Sequence, residues 1–116
     1  MYEGQYHGSK KHVPDLSAVL NRAWQGGLDK MLLTGGSLSD SRSALTLAQT
    51  HEKLFSTVGC HPTRCLEFES HEDGPEAYLE GLKTLAKDNP EKIVAFGEFG
   101  LDFDRLNFCD KETQIK

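Results

Sequence analysis

Three short apolar runs, "KMLLT" (30–34), "LFSTVG" (54–59) and "KIVAFG" (92–97), alternate with stretches of helical period, and each run ends at a glycine. No other feature of the chain constrains its fold as strongly. A strand that is apolar on both faces belongs inside a parallel sheet covered by helices. The stretches between the runs exceed the dozen or so residues that a parallel crossover requires. In "PDLSAVLNRAWQGG" the residues Leu16, Val19, Leu20, Ala23 and Trp24 form an amphipathic stripe, started by Pro14 or Asp15 and stopped by Gly26-Gly27. "SDSRSALTLAQTH" repeats the helical pattern with Ser37 or Ser39 as its cap. "GPEAYLEGLKTLAKDNP" does so again, with Pro75 in the first turn, Tyr78, Leu79, Leu82, Leu85 and Ala86 on one face, and Asn89-Pro90 closing it. The order helix, strand, helix, strand, helix, strand defines the α/β class with parallel strands. "DKETQIK" at the end begins a further helix, and "ESHEDG" reads as a solvated charged loop.

With 116 residues, 37% of them hydrophobic, the chain suits one domain, residues 1–116. A net charge of -5 with interspersed signs excludes a protein that grips nucleic acid by overall charge, so a phosphate substrate needs metal ions or a local site. No run approaches the roughly 20 apolar residues of a membrane span, so no membrane partner is expected. "MYEGQYHGSKKH" lacks the apolar core of a signal peptide, and the chain reads as soluble and intracellular. Three cysteines, Cys60, Cys65 and Cys109, are then expected as free thiols. A zinc site at Cys60, His61 and Cys65 lacks a second pair of ligands at ribbon spacing.

Parallel α/β sheets bind ligands beyond the carboxyl ends of their strands. Those ends are Thr34-Gly35-Gly36, Gly59-Cys60-His61-Pro62 and Gly97-Glu98-Phe99-Gly100-Leu101-Asp102. Glu98 there is an oxygen ligand for a divalent cation or a general base, or else the partner of a structural salt bridge. His61 suits metal coordination, phosphate contact or proton transfer, or a hydrogen bond within the rim. Asp102 either orients a ligand or bonds backbone amides in its own loop. Arg64 reads as a surface residue, and Arg105 as an ion-pair partner of Asp102 or Asp104. His7, His12, His51 and His71 fall in polar loops or at a helix end and are expected in solvent. One acid and one histidine fall short of a two-metal phosphodiesterase site, which needs several further ligands.

"STVGCHPTRC" and "VAFGEFGLDFDRLNFC", with the glycine pair of "LLTGGSLSDS", resemble the TatD-type metal-dependent deoxyribonucleases, most closely their animal branch. The resemblance covers nearly the whole chain, and its paired G-C-H-P and G-E-x-G-L-D motifs are fairly specific. It implies a TIM-type (β/α)8 barrel of the amidohydrolase kind, with DNA as the substrate. It also implies two divalent ions, magnesium first, with manganese or zinc as alternatives. Glu98 matches the acid that bridges the metals, His61 the histidine beside the scissile phosphate, and Asp102 a supporting position in the catalytic signature. The family's first strand with its metal motif, and the later histidines and aspartate, have no counterpart here. Eight strands need roughly 200 to 250 residues. The expectation is therefore a fragment: a partial barrel of about three parallel strands, inactive by itself, poorly stable or prone to associate. A nuclear location follows from the animal branch, with the cytoplasm as alternative. The rival readings are a self-contained flavodoxin-like regulatory module and a non-catalytic interaction protein that kept the half-barrel.

Overall fold

A computed structural model describes residues 2, 4–6 and 8–116, with the side chains of residues 5 and 6 excepted; His7 lies outside the described residues. The chain opens with a two-residue antiparallel pair, β1 (Gln5–Tyr6) and β2 (Ser9–Lys10), where the sequence suggested only a polar loop. Then follow α1 (Leu16–Gln25), β3 (Met31–Leu33), α2 (Leu38–Ala48) and β4 (Leu54–Val58). After a 3-10 turn (Pro62–Arg64) come α3 (Leu66–Ser70), α4 (Pro75–Asp88), β5 (Ile93–Phe96) and α5 (Lys111–Ile115). The main sheet has the order β3-β4-β5, both pairs parallel, as the alternation of runs requires.

The core lies where α2 and α4 cover the central strand. Leu38 and Leu45 of α2, Val58 of β4, Tyr78 and Leu82 of α4, and Ile93 of β5 form one buried cluster with Cys60. Ser37, rather than Ser39, caps α2: its hydroxyl accepts from the Asp40 N–H at 3.1 Å, while the Asp40 carboxylate accepts from the Gly36 N–H at 3.2 Å. The arrangement is a variant of a capping box, with an aspartate in the acidic position that takes the N–H of the residue before the cap. The stripe of α1 is only half-buried throughout, and Trp24 stacks on His51 with ring centroids 4.9 Å apart. That contact and the edge-on packing of His71 against Tyr78 take two histidines partly out of the solvent in which the sequence placed them.

Two expectations about burial need correction. Leu79 shares the helical face of Tyr78 and Leu82 yet is exposed, because it lies at the margin of that face, over an open apolar groove. In β5 only Ile93 is buried, whereas Val94, Ala95 and Phe96 are exposed, Phe96 by 55%. The strand was read as buried from its composition; its outer position in the sheet leaves it with one neighbour, β4. The expectation of three free thiols also fails. Cys65 and Cys109 form a disulfide, with Cα atoms 6.5 Å apart, and only Cys60 is free. The 44-residue separation concealed the pair, which meets because the segment after β5 folds back onto the start of α3.

Candidate active site

The three strand ends are tied to one another by main-chain hydrogen bonds before any side chain takes part. The His61 N–H donates to the Gly36 carbonyl at 2.9 Å, which fastens the end of β4 to the loop after β3. The Gly97 N–H donates to the Val58 carbonyl, also at 2.9 Å, which fastens β5 to β4. At Gly59 a Cβ would lie 2.5 Å from the Gly97 carbonyl carbon and 2.6 Å from the Glu98 oxygen, so only glycine lets the two loops approach this closely. The peptide bond from Gly97 to Glu98 is cis. The glycines noted in the sequence are thus what bring the histidine and the glutamate together.

His61 Nε2 lies 3.8 Å from Glu98 Oε2, and the two side chains are 27% and 63% exposed. They line a cavity of about 400 Å³ together with Thr34, Gly36, Asp40, Thr63 and Arg64. Sequence reading placed Thr34, His61 and Glu98 at the strand ends but passed over Asp40 and Thr63. The signal for Asp40 was its place three residues after a capping serine, and for Thr63 its place two residues after the histidine. Arg64, read as a surface residue, is exposed but opens onto this cavity, and its guanidinium is 3.5 Å from Glu67.

Asp102 does not line the cavity. Its carboxylate pairs with Arg105 at 2.9 Å and accepts from the Asp104 N–H at 3.1 Å. Its main chain is held by Gln114, whose amide oxygen accepts from the Asp102 N–H at 2.7 Å and whose amide nitrogen donates to the Asp102 carbonyl at 3.0 Å. These contacts match the loop-bonding alternative and the anticipated Arg105 pair.

Among the described residues no three His, Cys, Asp or Glu side chains converge as a metal-binding group. The zinc reading of Cys60, His61 and Cys65 therefore falls, since Cys65 is bonded to Cys109 and Cys60 is buried beside Tyr78. Glu98 supplies one exposed carboxylate, Asp40 is engaged with Gly36, and the donor set within these residues is incomplete.

Parallel strands whose glycine-bound carboxyl ends present a histidine and a glutamate to one cavity are consistent with part of a TIM-type barrel. The family model for TatD related DNase matches residues 6–116, and the chain belongs to that family. It is 42% identical to a deoxyribonuclease Tat-D of Schizosaccharomyces pombe over 98% of this chain and 37% of the relative. It is also 42% identical to a 3'-5' ssDNA/RNA exonuclease TatD of Enterobacter lignolyticus, over 91% and 37%. A hydrolase TatD family protein from Entamoeba histolytica superposes with a TM-score of 0.84 at 40% identity, covering 98% of this chain and 38% of that one. An uncharacterized amidohydrolase from Saccharomyces cerevisiae superposes with a TM-score of 0.88 at 30% identity, covering 98% and 37%. The chain thus spans less than two-fifths of the length of these relatives.

Proposed function

We propose that these residues form the strand-end portion of a metal-dependent nuclease that hydrolyses phosphodiester bonds of DNA, with His61 and Glu98 facing the scissile phosphate. The observation that carries this reading is their meeting at 3.8 Å in one cavity on the carboxyl rim of a parallel sheet. The names of the relatives, which include a deoxyribonuclease and an ssDNA/RNA exonuclease, support nucleic acid as the substrate class. Within this chain, Glu98 offers an exposed carboxylate that can take a proton or bind a cation, and His61 and Arg64 offer N–H donors to an anionic oxygen. Two divalent ions, magnesium first, and a nuclear location belong to the proposal and rest on the family resemblance.

A second reading for the chain by itself is a non-catalytic half-barrel that binds a partner, since the donor set among the described residues is incomplete. One experiment separates them. A labelled single-stranded oligonucleotide is incubated with this chain and, in parallel, with a longer form carrying a complete barrel, each with magnesium, manganese or zinc. Cleavage by the longer form, at least 100-fold slower after Glu98→Gln, agrees with the loss of one group acting only in the transition state. Cleavage insensitive to Glu98→Gln overturns the role of this carboxylate, and no cleavage by the longer form overturns the reaction.

A further inference from the structure

We infer that Thr63 is a positioning residue that holds His61 as the Nε2–H tautomer, so that the ring presents a proton donor, not a lone pair, to the cavity. The inference rests on the phosphodiesterase reading for its purpose, but its geometry stands apart from it. His61 is the N-cap of the 3-10 turn Pro62–Arg64, and its side chain accepts from the Thr63 N–H, with Nδ1 and N 3.2 Å apart. An amide N–H only donates, so this bond favours Nδ1 as the unprotonated nitrogen of the neutral ring. The Thr63 hydroxyl lies 2.8 Å from the same nitrogen, and as a hydroxyl it can donate there once the amide has assigned Nδ1 as the acceptor.

With Nδ1 occupied, the neutral ring carries its proton on Nε2. That nitrogen is the one facing Glu98 Oε2, and the ring lines the cavity. A ring held this way can donate a hydrogen bond to an anionic oxygen, such as a non-bridging phosphodiester oxygen, in the cavity that Glu98 also lines. It does not offer Nε2 as a cation ligand or as a general base. The second residue after the histidine thereby sets which of the three chemistries open to His61 in the sequence is available.

The test uses the 15N-labelled chain without any nucleic acid, at a pH above the ordinary histidine range. Long-range 1H–15N correlation of the imidazole is expected to show His61 with a protonated Nε2 and an unprotonated Nδ1. Thr63→Ser is expected to keep that pattern, and Thr63→Val to raise the proportion of the Nδ1–H form. In the longer nuclease, Thr63→Val is expected to lower kcat at least several-fold with recovery in Thr63→Ser. A wild-type ring protonated on Nδ1 overturns the inference with no variant needed, and an unchanged tautomer ratio in Thr63→Val overturns the role of Thr63. Absence of cleavage by the longer form, with the Nε2–H tautomer present, overturns the nuclease reading and leaves the tautomer assignment standing.

Discussion

The Tyr78 hydroxyl joins three elements at one atom. It accepts from the Leu38 N–H at the start of α2 at 2.8 Å, and lies 3.2 Å from the Glu67 carboxylate of α3 and 3.9 Å from the Cys60 sulfur. Tyr78 and Leu38 are both buried, so the Leu38 N–H has no water to replace this partner. Tyr78→Phe keeps the ring packing but strands that N–H, at a cost of about 1–3 kcal/mol. Chemical denaturation is expected to show the loss as a lower midpoint, and an unchanged midpoint would mean that the N–H has found another acceptor. The same neighbourhood governs Cys60. Burial pushes its thiol up, opposed by the hydrogen bond from Tyr78 and reinforced by the Glu67 charge. A raised pKa means less thiolate at pH 8, so iodoacetamide is expected to alkylate Cys60 much more slowly in the native chain than in urea. Equal rates, read by intact mass, would show the thiol to be open.

The last short helix is held to the body at both of its approaches. Asp110 caps α5 by accepting from the Thr113 N–H at 2.8 Å, and the Cys65–Cys109 bond anchors the residue before it to the start of α3. Hydrogen bonds from the Thr113 backbone and then its side chain hold the Asp110 carboxyl below its usual value. The folded pKa is depressed, so the cap's contribution is present above the unfolded carboxylate value and is lost as pH falls through the folded one. The Thr113 amide resonance is therefore expected to move in acid with a midpoint below that of an ordinary aspartate, and Asp110→Asn to flatten the response. A midpoint at the ordinary value would mean that the cap does not form. For the disulfide, alkylation in urea is expected to label one cysteine without reductant and three with it. Three labels without reductant would restore the free thiols that the sequence suggested.

At the scale of the molecule, the alternation of apolar runs and helical stripes was enough to read the parallel sheet, because backbone pairing follows from periodicity and crossover length. The meeting of His61 and Glu98 was legible too, since parallel strands put their carboxyl ends on one rim. What escaped depended on distant partners: the bond from Cys65 to Cys109, the Gln114 clamp on Asp102, and the exposure of β5. That exposure has a consequence for the whole chain. Both β3 and β5 are outer strands, and Val94, Phe96, Phe99 and Leu101 stand in solvent on or just after β5, Phe99 by 75%. An open strand edge flanked by large apolar side chains pairs readily with another chain. Sedimentation velocity of the 116-residue chain is therefore expected to show a coefficient that rises with concentration. Val94→Lys with Phe96→Lys places like charges on that edge and is expected to bring the coefficient down to that of a monomer. A wild-type coefficient independent of concentration would mean that the edge is protected in solution, and would count against the need for neighbouring strands that the match to longer relatives implies.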